Sequence, residues 1–193
     1  MGSLLTSFPI PFILSIIVGI FAGHQNRTNL MSVHLFEKLE RSEGKKLYGY
    51  QVNAINNIFA RIHEHPASFN LLFQLPTGGG KTVIFSEIAK RYILETHKKV
   101  LILTHRIELL SQTSKMLTDI GVSNKIINSK VKSLPDEHEH LCFVAMVETL
   151  NNRLTDEHIE LKDLGLVIVD EAHYNSFRKL FRFFENIVIL GVT

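Results

Sequence analysis

A chain of 193 residues with 45% hydrophobic content can bury one substantial core, and a formal net charge of +2 excludes a pervasive basic field. Any contact with nucleic acid must therefore be a local patch. The single cysteine excludes an internal disulfide and suits a reducing compartment such as the cytoplasm.

Residues 1–30 stand apart from the rest of the chain. Leu4 to Gly23 carries no charge, and about twenty apolar residues can span a bilayer. Three readings are open. The first is a membrane anchor through residues 4–23, with Arg27 and Lys38 on the inner side. The second is a cleaved signal peptide, against which the missing basic n-region weighs. The third is an upstream extension ahead of a start at Met31. Residues 31–46 read as a polar lead-in segment, and the patterned domain runs over 47–193.

Within that domain, Tyr50 to His63 places Val52, Ile55, Ile58, Phe59 and Ile62 at helical spacing. Phe69 to Leu75 is a short apolar run, the pattern of a buried strand. The run breaks at Pro76 and three glycines, then resumes at helical spacing from Thr82 to about Thr96. A strand over 100–104 comes next. A helix through Asp119 carries Ile107, Leu109, Leu110, Met116 and Leu117 on its apolar side, with Gly121 as its stop. A weaker strand at 125–128 leads to a polar stretch at 129–140. Then come a strand over 141–145, a helix near 147–153 and a strand over 166–170. A short amphipathic helix, Phe177 to Phe184, precedes a last strand at 187–191. Alternating strands and helices predict an α/β fold, a parallel sheet with helices on both faces. Cys142 sits in a core strand as an inert thiol; the phenylalanines at 177, 181, 183 and 184 read as packing a helix onto the sheet, with a stacking platform for nucleic acid as the alternative. Asp136 to His140 reads as a solvated loop, because its spacing fits no zinc site.

Two motifs carry chemistry. Gln74-Leu75-Pro76-Thr77-Gly78-Gly79-Gly80-Lys81-Thr82 is built to hold a triphosphate. Glycines let the backbone amides of Thr77, Gly78, Gly79 and Gly80 converge on an anion, and the next helix adds positive charge at its N-terminus. Lys81 then reaches the β- and γ-phosphates, and the Thr82 hydroxyl ligates Mg²⁺. Leu75 stands where the usual pattern has glycine, so this is a variant loop. The second motif is Asp170-Glu171-Ala172-His173, at the end of the apolar run Leu164 to Val169. Asp170 emerges beside the phosphate loop if the two strands are neighbours, and can hold Mg²⁺ through its water shell. Glu171 can orient and deprotonate an attacking water. A ligand-free glycine loop and two solvated acids are the bland alternatives. The pairing of the two motifs favours ATP with Mg²⁺.

These motifs resemble those of superfamily 2 helicases and translocases, in the DEAH form. The likeness covers residues 47 to 193 and is greatest to the restriction-subunit, UvrB- and RadD-like branch. Tyr50-Gln51 resembles the glutamine motif, which implies that Gln51 reads adenine, although the usual preceding arginine is absent. Val100 to Leu110 resembles motif Ia, which implies nucleic-acid contacts near His105 and Arg106. Phe143 to Leu150 resembles the next nucleic-acid motif. Met146 and Glu148 depart from it, and Thr149 remains as a contact. Ile189 to Thr193 resembles the strand entering motif III, which implies that His173 and Thr193 couple nucleotide to the rest of the motor. The resemblance implies a RecA-like P-loop NTPase domain acting on DNA or RNA, with DNA favoured. It also implies a second RecA-like domain beyond Thr193, supplying arginine fingers, and near-inactivity of this part alone. Three alternatives remain: a nucleotide-binding module without turnover, a membrane-anchored ATPase with a protein substrate, and a small-metabolite kinase. The last has no use for Asp-Glu-Ala-His.

Overall fold

The computed structural model describes residues 34–40, 46–65, 67, 69–128, 140–156 and 162–193. The candidate anchor at 4–23 and residues 136–139 of the histidine-rich stretch lie outside them. Among the described residues, no helix is long and apolar enough to cross a membrane.

Six strands form one all-parallel sheet: β1 (Asn70–Phe73), β2 (Lys99–Thr104), β3 (Asn124–Ile127), β4 (Cys142–Met146), β5 (Leu164–Asp170) and β6 (Val188–Val192). Their spatial order is β1-β6-β5-β2-β4-β3. β2, β5 and β6 read as continuous apolar runs because both of their faces are covered.

The covering arises from the two-residue period of a strand. On one face, Val100, Ile102, Val144, Leu166, Ile168, Val188 and Leu190 meet helices α1 (Gly49–Glu64), α2 (Lys81–Thr96) and α3 (Ile107–Asp119). On the other, Leu101, Leu103, Phe143, Ala145, Val167, Val169 and Ile189 meet α4 (Val147–Asp156) and a 3₁₀ helix (Asn175–Phe183). Phe184 is buried in that second core, and Phe177 and Phe183 pack against it; Phe181 faces out.

Three expectations change. β1, read as a buried strand, ends the sheet order among the described residues, and its Leu72 is 67% exposed. Ile107 is 56% exposed, whereas Leu110, Thr113 and Leu117 form the buried stripe of α3. Ile107 opens the helix, one turn before that stripe meets the sheet. The lead-in segment is also less polar in role than in composition. A helical stretch over 34–40 buries Leu39 completely against the first core, with Leu35 and Phe36 beside it.

Candidate nucleotide site and nucleic-acid face

The phosphate loop spans the end of β1 to the start of α2, and its root is tied to β6. Leu75 N–H donates to the Thr193 carbonyl at 2.9 Å, and Thr193 N–H donates to the Phe73 carbonyl at 3.0 Å. Gly78 and Gly80 take φ of 83° and 77°, a region that favours glycine. A Cβ on Gly79 would stand 2.7 Å from the Leu75 side chain. Leu75, unusual in such a loop, therefore fills the space under Gly79. Gly80 caps α2 without a side chain. Lys81 and Thr82 open the helix, so their amides lie in the first turn, where no helical carbonyl serves them and positive partial charge collects.

β6 lies between β1 and β5, so the two motif-bearing strands are not direct neighbours. The side chains nevertheless meet over it. Lys81 Nζ lies 3.2 Å from Glu171 Oε1. Glu171 Oε2 lies 3.4 Å from His173 Nδ1, which stands 2.9 Å from Thr193 Oγ1. Glu171 has a φ of 56°, uncommon for a residue with a side chain. The turn is pinned by Ala172 N–H donating to the Val192 carbonyl at 2.9 Å and Tyr174 N–H to the Glu171 carbonyl at 3.1 Å. Asp170 ends β5 and is 6% exposed. Burial raises its carboxyl pKa above the ordinary value, and the Glu171 charge adds to the rise; Lys81 and a backbone amide oppose it.

Thr77, Lys81, Glu171, His173 and Thr193 share the wall of one cleft of about 570 Å³. The donors fit magnesium and a triphosphate. The glycine loop adjoins the cleft, and Lys81 stands in its wall. A buried carboxylate carries an unfavourable charge that a divalent ion would offset.

Beside the glycine loop, Gln51 is buried rather than displayed. Its Oε1 accepts the Tyr48 N–H at 3.0 Å, and its amide nitrogen would lie 2.6 Å from a Cβ on Gly80. Tyr48 and Tyr50 are the exposed groups there, with parallel rings 6.0 Å apart. The Tyr50 hydroxyl donates to the Gly79 carbonyl at 3.1 Å.

The candidate nucleic-acid residues divide. Arg106 is exposed at the head of α3. His105 is half-buried and turned toward Ser176, whose hydroxyl lies 2.9 Å from its Nδ1. Burial lowers the His105 imidazole pKa, Glu148 raises it, His173 lowers it and Glu171 raises it. Thr149 is half-buried in α4, and the Glu148 carboxylate is 3.8 Å from Lys179 Nζ. Tyr174 and Ser176 were not legible as site residues in the sequence. Ser176 meets His105 across 71 positions, and only the adjacency of β2 and β5 brings them together.

Residues 44–193 match the family described as type III restriction enzyme, res subunit. The chain belongs to this family. Its fold and motifs are those of the RecA-like domain of superfamily 2 helicases. IRC3 of Saccharomyces cerevisiae, named as an ATP-dependent helicase, is 34% identical over 148 residues, covering 72% of this chain and 21% of that protein. The ATP-dependent RNA helicase DHX58 of Mus musculus is 30% identical over 117 residues, covering 54% of this chain and 17% of that one. A nuclease-deleted type ISP restriction-modification enzyme, LlaGI, solved with a DNA substrate mimic, has the same fold. The TM-score is 0.61 at 20% identity, over 77% of this chain and 17% of that one. The chain thus spans 21% and 17% of the length of these two curated relatives.

Proposed function

We propose that this domain binds Mg²⁺-ATP in the Lys81–Glu171 cleft and hydrolyses it in support of movement along nucleic acid. The observation that carries the reading is the meeting of phosphate loop and acidic turn in one cleft, Lys81 Nζ to Glu171 Oε1 at 3.2 Å. Lys81 exchanges Glu171 for the β- and γ-phosphates when nucleotide enters. The loop amides and the first turn of α2 hold the remaining phosphate charge. Thr82 and Asp170 hold Mg²⁺, which screens phosphate charge when bound. Released from Lys81, Glu171 orients a water and accepts its proton. His173 bridges Glu171 to Thr193 and reports the state of the cleft to β6. Tyr48 and Tyr50 offer a ring face to the base, and Gln51 holds the loop beside it.

Nucleic acid passes Arg106 and Thr149. DNA is favoured over RNA, by likeness to the restriction-enzyme branch. Among the described residues lining the cleft there is no arginine. The resemblance to superfamily 2 motors implies a second RecA-like domain in the working enzyme, donating an arginine to this cleft. Turnover by the present chain alone is then slow, since such an arginine contributes on the order of 10³–10⁵ in rate in related phosphate-loop enzymes.

Titration of a fluorescent ATP analogue with Mg²⁺ tests the site. Lys81→Ala weakens binding by roughly ten- to a hundredfold, the usual value of a charge-assisted contact. Equal affinities for the two proteins would remove Lys81 from the phosphate site.

A further inference from the structure

The acidic turn and His105, the residue before the head of α3, are joined by a series of side-chain contacts. From the cleft, Glu171 Oε2 meets His173 Nδ1 at 3.4 Å. The His173 and Tyr174 rings stand 4.3 Å apart between centroids, and the Tyr174 and His105 rings 5.0 Å apart. His105 is also held by the Ser176 hydroxyl at 2.9 Å. Its neighbour in sequence is Arg106, whose N–H donates to Thr104 Oγ1 at 3.4 Å as the chain turns into α3. The three rings lie above adjacent strands, because Leu103 of β2 is in register with Val169 of β5. A shift of the Glu171 turn is therefore placed to reach His105 through these ring contacts.

We infer that Tyr174 and Ser176 are positioning residues that couple the nucleotide cleft to the nucleic-acid face through His105. This rests on the proposed function and assigns a route to it. Neither residue lines the cleft or belongs to either apolar core; Tyr174 is 43% exposed and Ser176 is half-buried. His105 then acts from within: it sets the placement of Arg106 and leaves the phosphate contact to that arginine. Coupling between two ligands is a reciprocal factor in their affinities, so it is measurable without turnover.

The experiment measures the affinity of this chain for a fluorescent Mg²⁺-ATP analogue with and without a saturating single-stranded oligonucleotide. The reciprocal titration uses labelled oligonucleotide. The wild-type chain is expected to show a coupling factor in the common range, on the order of 5- to 150-fold. In Tyr174→Ala and in Ser176→Ala that factor falls toward one, while each separate affinity stays within about twofold. Tyr174→Phe, which keeps the ring, retains the coupling; a role in stability alone predicts loss or retention in step with thermal melting instead. Coupling that persists in both alanine variants overturns the route. A wild-type chain that binds both ligands independently overturns it too, and leaves the proposed function standing. Failure to bind nucleotide or oligonucleotide overturns the proposed function itself.

Discussion

At the scale of single residues, the site is organised around charges held where water cannot fully serve them. Asp170 is the clearest case. Burial and the adjacent Glu171 raise its pKa above that of the unfolded chain. For a carboxyl shifted upward, the folded state binds the proton more tightly than the unfolded state. Its favourable contribution is present below the unfolded pKa and is lost as pH rises through the folded one. At neutral pH the ionised Asp170 therefore costs stability, and Mg²⁺ is the natural counterweight. Asp170→Asn should melt higher than the wild-type chain at pH 7 in metal-free buffer. The advantage should shrink as pH falls through the folded-state pKa and be lost below the ordinary carboxylate value, where the wild-type carboxyl is protonated in both states. The same substitution should abolish the gain in melting temperature that Mg²⁺ and nucleotide give the wild type. Scanning calorimetry at both pH values decides it; a variant less stable at pH 7 would mean that the carboxylate is a net structural asset. The sequence announced Asp170 through its position at the end of an apolar run. It did not announce the left-handed backbone of Glu171 or the inward turn of His105, because both depend on partners distant along the chain.

At the scale of elements, the apolar runs at 100–104 and 164–170 and the helical stripe at 52–62 were sufficient to predict strands and helices. β2, β5 and α1 bury what their periodicity marks, with Val52 half-buried, whereas Ile107 of α3 and Leu72 of β1 are exposed. What periodicity omits is which strands touch. β6 enters last and inserts between β1 and β5, so it separates the two motif-bearing strands and supports both. Gly191 makes that insertion possible. A Cβ there would meet the Ala172 Cβ at 2.8 Å on the acidic turn and Leu72 Cδ1 at 3.1 Å on β1. The first is a short, rigid side chain with no rotamer to yield. Gly191→Ala should therefore push the Glu171 turn away from β6, costing about 1–3 kcal/mol as overpacking commonly does. Chemical denaturation measures the loss. Nucleotide affinity should fall with it, because the displaced turn carries Asp170 and Glu171. Unchanged stability and affinity would show that the turn rides freely over β6.

At the scale of the whole molecule, the patterned domain supplies both cores, and the residues ahead of it divide at Leu39. Composition marks 31–46 as polar, yet one leucine within it is fully buried, with Leu35 and Phe36 packed alongside. Burying a leucine completely is worth about 1.5–3 kcal/mol, and Lys38 and Glu40 stay exposed and keep their solvation, so the stretch docks by that stripe without desolvating charge. A boundary placed by motif alone, at Leu47, would cut away this contact. Shortened chains separate the possibilities. A chain starting at Met31 should melt with the full chain and bind the fluorescent ATP analogue equally well, because it keeps Leu35, Phe36 and Leu39. A chain starting at Lys46 should lose about 2–5 kcal/mol, the usual cost of emptying one fully buried leucine site. Leu39→Ala in the full chain should lose a similar amount without changing the length. Equal stability of the two shortened chains would show that Leu39 adds nothing to the core. Loss of folding on starting at Met31 would instead assign a structural part to residues 1–30.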